Sequence, residues 1–500
     1  MPLIVRYERS LLAKQAGFAY QVSAVEAIKN LEYAAVFHEQ GLGKTKIAID
    51  LALYWLSNSI VDSVLIVTKK GLLQNWREEL AQHSYLQPRM LSQDRKANYY
   101  AFNSPSRMYL LHYEVIQSEQ KRIQLFLRTR RVAVILDEAH RIKNPNAAIT
   151  KSLFAVAPGF VRRVVLTGTP VANRPYDLWA PIAFLDGGKA LGKHFSDFRS
   201  SLDLRNDFHQ REDKALAFER TLAGVYDRLR PFTVRETKDT AGIALPTKEI
   251  KNVLVELAER QAELYREFQE ELSAVVIRAG RLLRDDAEEM LKRLLRLVQV
   301  ASNPALVDQA YSGTPCKLPV LDQLVGKAAD DSEKVIVWTS FTDNVNWLAR
   351  ELRPFNPVRV HGKLPIATRD AAIARFKADA ACKVLIATPA SAKEGFTLTI
   401  ANHAIFYDRS FSLDDYIQAQ DRIHRISQVR RCYITNLVAA GTIDEWVDVL
   451  LGAKQLAAQL GQGDISYEMY TKRVTYVYGA MLRDILGLAE EELDDGNATH

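Results

Sequence analysis

Five hundred residues exceed what one hydrophobic core usually serves, so the chain is expected to fold as more than one domain. Its 48% hydrophobic and 25% charged residues, without repeats or low-complexity runs, exclude fibrous and low-complexity classes. The net charge of +6 permits an anionic partner such as nucleic acid without requiring one. The three cysteines, Cys316, Cys382 and Cys432, have no metal-ligand spacing and suggest no disulfide framework, so a reducing cytoplasm is the expected location. No apolar run is long enough to span a bilayer, and Arg6, Glu8 and Arg9 break up the apolar start, so neither membrane nor signal peptide is expected.

In chain order, Phe18-Ala19-Tyr20-Gln21 comes first, opening a helical stretch through Ile28. A glutamine beside an aromatic can read an adenine edge, donating and accepting through one amide. Tyr33 to Phe37 is an apolar run fit for a buried strand, followed by His38-Glu39-Gln40-Gly41-Leu42-Gly43-Lys44-Thr45. A helix is expected from Lys46 to Leu56, with Ile47, Leu51 and Trp55 on one face. Strand, glycine-rich turn and helix are the setting of a phosphate-binding loop. Gly41 and Gly43 let the backbone approach a polyphosphate, and the loop amides with Leu42 and the helix N-terminus face the anion. Lys44 would reach the β- and γ-phosphates and Thr45 would hold Mg²⁺, although His38 stands where the usual loop starts with glycine.

Strands are expected at Ser63–Thr68, Tyr109–Tyr113, Arg131–Leu136 and Arg163–Leu166. The first ends at Lys69-Lys70 and leads into Leu72-Leu73-Gln74-Asn75-Trp76. The third runs into Asp137-Glu138-Ala139-His140. There Asp137 can hold Mg²⁺ and Glu138 can orient and deprotonate a water. The last ends in Thr167-Gly168-Thr169-Pro170. From Leu185 to about Leu324 the strand-like alternation gives way to long helices. Charge pairs such as Arg281 with Asp285 and Glu289 with Arg293 mark a solvated face there. A second strand-rich stretch follows at Lys334–Trp338, Val358–Val360, Val384–Thr388 and His403–Tyr407. Ser340, His361, Thr388 and Lys393 near its strand ends, with Lys70 earlier, are candidate contacts to nucleic-acid phosphates. A helix through Tyr416–Ile426 is expected to carry Arg422 and Arg425 on one face, where they can neutralise charge on a γ-phosphate.

The ordered set Gln21, GLGKT, DEAH and LTGTP resembles the first motor lobe of superfamily-two helicase-like ATPases. EQGLGKT, LLQNW, the segment Leu229 to Lys238 with Leu245-Pro246, and QAQDRIHRISQ look most like the Swi/Snf branch, whose loop also lacks the early glycine. The resemblance covers about Phe18 to Gln428. It implies an α/β fold of two RecA-like parallel-sheet lobes with a helical insertion between them. The expected divisions are a first lobe over 1–186, insertion and linker over 187–324, and a second lobe with C-terminal helices over 325–500. The implied cofactors are ATP and Mg²⁺, gripped by Lys44 and Thr45 and, from the second lobe, by Arg422 and Arg425. The implied activity is ATP-driven translocation on double-stranded DNA without strand separation. The alternatives are a strand-separating helicase, or an ATP-gated subunit of a restriction or defence complex that needs a protein partner. No accessory module is recognisable, so a bare, monomeric motor of prokaryotic or viral source is expected. The terminal amphipathic stretch, Met469 to Leu488, and the acidic end have no assignment.

Overall fold

The computed structural model describes residues 11–104, 106–171, 174–202, 212–242, 245–278, 287–394, 397–425 and 427–473. It divides into two compact units. The first draws on Met1–Asp203, Arg220–Ile243 and Ala458–Ser466; the second on Leu204–Glu219, Ala244–Ala457 and Tyr467–His500.

The first unit holds a parallel sheet of β1 (Tyr33–Val36), β2 (Ser63–Thr68), β3 (Arg89–Met90), β4 (Met108–His112), β5 (Val132–Asp137), β6 (Arg162–Leu166) and β7 (Thr233–Val234). Their order across the sheet is β3-β4-β2-β5-β6-β1-β7. Helices cover such sheets on both faces, so inner strands read as unbroken apolar runs: Val64, Leu65, Ile66 and Val67 are all fully buried. The helix α1 (Ala19–Ile28) packs beside α2 (Lys44–Ser57), which drives Ile47, Leu51 and Trp55 into the core with Trp76.

The second unit holds β8 (Lys248–Val255), β9 (Val335–Trp338), β10 (Val358–Val360), β11 (Val384–Ala387), β12 (His403–Phe406) and β13 (Cys432–Ala439), all parallel, in the order β10-β11-β9-β12-β13-β8. Two apolar cores sandwich this sheet, one around Trp338 and Phe376, the other around Leu321, Val345 and Tyr407. The two parallel sheets are the expected RecA-like α/β lobes.

Two expectations need correction. The stretch from Leu185 to Leu324 is not purely helical: β7 extends the first sheet and β8 forms an edge of the second. The same stretch does contain the long helices Glu259–Arg278 and Ala287–Ser302; residues 281–286 and the side chains of 287–293, where the charge pairs fall, lie outside the described residues. The helix meant to carry both arginines ends early, spanning Leu413–Gln420. Beyond it the chain tightens into i,i+3 turns, Arg422 N–H to Ala419 O at 3.3 Å and Ile423 N–H to Gln420 O at 3.2 Å. Gln428 fixes this turn by donating to the carbonyls of Ala401 and Ile423 at 2.9 and 3.2 Å.

Of the terminal stretch, Tyr467–Arg473 is helical; 474–500 lies outside the described residues. Among the described residues no helix is long and apolar enough to cross a membrane.

Candidate phosphate-loop site

In parallel sheets, ligands bind beyond the carboxyl ends of the strands. In the first sheet those ends present, side by side, Thr68 and Lys69 at the end of β2, Asp137 and Glu138 at β5, Thr167 and Gly168 after β6, and the loop His38–Gly43 after β1. The acids and the loop are therefore two strands apart, with the Thr-Gly-Thr-Pro turn between them.

The loop turns through Gly41 at φ 88° and Gly43 at φ 69°, left-handed values that favour glycine. A Cβ on Gly43 would meet Gln21 Nε2 at 2.4 Å, so a side chain there would displace Gln21. Gln21 is buried, and its amide braces the loop: Nε2 donates to Leu42 O at 3.1 Å, while Oε1 accepts from Phe18 N–H at 2.9 Å. Leu42 is fully buried, which fixes the middle of the loop. Lys44 opens α2, and its Nζ donates to the carbonyls of His38 and Glu39 at 3.0 and 3.3 Å. Thr45 follows, half-buried on the same first turn. Gly168 comes so close that a Cβ on it would meet Gln40 Cγ at 2.5 Å and Lys44 Nζ at 3.0 Å. That contact gives the Thr-Gly-Thr-Pro motif a steric reason beyond a turn.

Asp137 is the better-anchored acid. Its Oδ2 accepts from Trp76 Nε1 at 2.7 Å and from Thr68 Oγ1 at 2.9 Å, and Oδ1 accepts from Glu138 N–H at 3.0 Å. Tyr113 Oη donates to its backbone carbonyl at 2.7 Å. Burial and then the Glu138 charge raise the pKa of Asp137 above the usual carboxylate value, against the lowering effect of the Trp76 and Thr68 bonds. Glu138 sits at φ 52°, a left-handed backbone that costs about 1 kcal/mol or more in a non-glycine residue. Burial pushes its pKa up, but His140, Lys69 and Lys44 together hold it well below the ordinary range. His140 Nδ1 lies 3.1 Å from its carboxylate, and His140 Nε2 lies 2.8 Å from Lys69 Nζ. An ammonium can only donate, so Nε2 accepts from Lys69, which leaves Nδ1 as the ring nitrogen beside Glu138.

Sequence reasoning named Asp137 and Glu138 but missed the residues that hold them: Thr68, Lys69, Trp76, Tyr113 and His140. The signals were present, since Thr68, Lys69 and Trp76 flank the strand-end motif and His140 closes Asp-Glu-Ala-His.

Lys70, also expected to touch nucleic acid, is exposed in the short turn Lys70–Leu72. The remaining candidates lie in the second unit. Ser340, His361 and Thr388 follow β9, β10 and β11, three adjacent strands, so they line one carboxyl edge. Ser340 N–H donates to Asp408 Oδ1 at 2.6 Å, and Asp408 also accepts from Thr339 and Ser302 at 2.6 and 2.8 Å. His361 is buried, and burial followed by the charges of Arg359, Lys363 and Arg369 lowers its pKa. Thr388 is buried, with its N–H on Val360 O at 3.1 Å. Lys393 lies in the short helix Pro389–Glu394, and its side chain falls outside the described residues. Arg422 is buried and its Nε donates to Gln418 O at 3.1 Å. Arg425 donates from Nε to Asp421 O at 2.8 Å and from Nη1 to Thr397 Oγ1 at 3.0 Å.

A glycine-rich loop opening a helix, with paired acids two strands away on one sheet edge, places the first unit among phosphate-loop folds. A family model described as SNF2-related domain matches residues 20–306, and one described as helicase conserved C-terminal domain matches 316–427. The chain belongs to the SNF2-related family. An uncharacterised ATP-dependent helicase of Mycoplasma genitalium is 26% identical over 453 residues, covering 87% of this chain and 41% of that protein. The ISWI chromatin-remodelling complex ATPase of Saccharomyces cerevisiae is also 26% identical, covering 85% of this chain and 39% of that one. The chain thus spans about two fifths of these relatives. The solved Sulfolobus solfataricus SWI2/SNF2 ATPase core in complex with double-stranded DNA is 25% identical, with a TM-score of 0.42, over 95% of this chain and 98% of that one.

Proposed function

We propose that the chain hydrolyses ATP with Mg²⁺ and uses the cycle to translocate along double-stranded DNA without parting its strands. The observation that carries this reading is the row Thr68, Asp137, Glu138, Gly168 and Lys44 along one sheet edge, in a chain of the SNF2-related family. Lys44 and the loop amides from Gly41 to Thr45 hold the β- and γ-phosphates, and Gln21 stands beside them for the adenine. Thr45 and Asp137 fit Mg²⁺, which commonly takes one or two carboxylates and completes its shell with water and substrate phosphates. Two adjacent carboxylates, with the Asp137 proton affinity raised by burial and by Glu138, favour a cation there. The cation would neutralise phosphate charge. Glu138, oriented by His140, takes the proton of the attacking water. Arg422 and Arg425 serve turnover rather than binding.

Lys70, Ser340, His361, Thr388 and Lys393 contact phosphates of the track, which carry little sequence information. The stretch 187–324, read as insertion and linker, also gives β7 to the first lobe's sheet and β8 to the second's. The chain works as a cytoplasmic monomer or as the motor of a larger complex.

Steady-state hydrolysis by the purified chain tests this. Mg²⁺-dependent turnover should rise on adding duplex DNA, more than on adding RNA. Lys44→Ala should remove ATP affinity, and Glu138→Gln should bind ATP yet turn over roughly a hundredfold more slowly. No stimulation by any nucleic acid would point instead to a subunit that waits for a protein partner.

A further inference from the structure

Because β7 lies beside β1, the chain leaving β7 runs along the phosphate loop. Phe37 N–H donates to Val234 O at 2.9 Å and Glu39 N–H to Glu236 O at 2.8 Å. Arg235 fastens this segment, forking onto Asp464 at 2.8 and 2.5 Å while donating to Phe37 O at 2.5 Å. The arrangement fixes Lys238. Its backbone N–H donates to Glu39 Oε2 at 2.8 Å, and its Nζ lies 3.3 Å from Glu39 Oε1.

Lys238 is only 7% exposed, and its Cε lies 3.9 Å from where a Cβ on Gly41 would sit. Two ammonium groups therefore converge on Glu39. Lys44 takes its carbonyl at 3.3 Å, and Lys238 takes its carboxylate. The Lys44 contacts have a ready explanation, because backbone oxygens there stand in for phosphate oxygens. The same substitution explains Lys238, whose carboxylate partner carries the charge a phosphate would. The plainer alternative is a fixed ion pair that clips the segment after β7 to the loop.

We propose that Lys238 is a second nucleotide-binding lysine, which exchanges the Glu39 carboxylate for a phosphate oxygen when a nucleoside triphosphate enters the loop. This rests on reading the loop as the ATP site. A triphosphate has more charge and more acceptor oxygens than one carboxylate, so it competes well for an ammonium within reach. Glu39 then acts as a competitor that lowers affinity, not as a support.

The two models predict opposite signs for Glu39. MgATP affinity would be measured by calorimetry for the wild type, Lys44→Ala, Lys238→Gln, Lys238→Arg, Glu39→Gln and the Glu39→Gln/Lys238→Gln double variant. Lys238→Gln should bind roughly tenfold more weakly, the size of one charge-assisted hydrogen bond. Lys238→Arg should stay within a few fold of wild type. Glu39→Gln should bind more tightly, and that gain should disappear in the Lys238→Gln background.

A fixed clip predicts that Lys238→Gln and Glu39→Gln both weaken binding, and that result overturns the proposal. So does a Glu39→Gln gain that survives in full in the double variant, since the carboxylate's own charge then explains it. If Lys238→Gln does not fold, as melting would show, the Lys238→Arg and Glu39→Gln affinities still decide. A loss in Lys238→Arg of tenfold or more, or no gain in Glu39→Gln, overturns the proposal. A wild type that binds no better than Lys44→Ala would instead overturn the reading of the loop.

Discussion

His38, the residue that departs from the usual loop pattern, makes the stability of the first unit depend on pH in a calculable way. It is 1% exposed, and burial followed by the nearby Lys44 charge lowers its pKa to about 4 from 6.5. The folded state therefore resists protonation while the unfolded chain takes up a proton near pH 6.5. Its contribution is fully present above pH 6.5 and is lost as pH falls toward 4. The complete loss is about 3 kcal/mol, and about 2 kcal/mol of it falls between pH 7 and pH 5. His403 in the second unit shifts the same way, to about 4, through burial alone. Comparing wild type with His38→Asn cancels that contribution. The assay is urea unfolding at pH 7 and pH 5, read by hydrogen exchange of α2 peptides so that the first unit is followed by itself. Wild type should lose about 2 kcal/mol more than His38→Asn on acidification. Parallel losses would refute the claim that His38 is held neutral by the fold.

Trp76→Phe removes the Nε1–H bond to Asp137 and should destabilise the first unit by roughly 1.5–3 kcal/mol in urea melts. That bond also lowers the Asp137 pKa, so the variant should need a higher pH to reach full turnover. Arg422→Ala and Arg425→Ala should each leave ATP affinity nearly intact while turnover drops by roughly 10³. Normal turnover in both variants would remove the arginines from the mechanism.

The longest apolar strands were legible because a two-sided parallel strand writes its burial directly into sequence. Ser63–Thr68 matches its expected bounds, and Val358–Val360 does too. The strands that escaped notice carry weaker signals. Arg89–Met90 and Thr233–Val234 have two residues each, and Lys248–Val255 is a mostly exposed edge strand in which Lys248, Glu249, Lys251 and Asn252 break up the apolar residues. Cys432–Ala439 is almost wholly buried, but its Thr435 and Asn436 interrupt the apolar run. At the site, motif residues were readable because glycine, lysine and paired acids are chemically specific at that spacing. Their supports were not, since Trp76 reaches Asp137 and Lys238 reaches Glu39 only after the sheet order is known. The helical placement of Arg422 and Arg425 failed for a tertiary reason. Gln428 folds back onto Ala401 and Ile423, and this competes with continuing the helix.

The central claim is translocation on duplex DNA without strand separation, and a triplex-displacement assay beside a forked-duplex unwinding assay tests it most directly. With ATP, the chain should release a third strand from a triplex while leaving the fork paired. Release should need hydrolysis, fail in Glu138→Gln, and weaken steeply with salt as phosphate contacts are screened. Efficient fork unwinding with no triplex displacement would contradict the account and make the protein a strand-separating helicase.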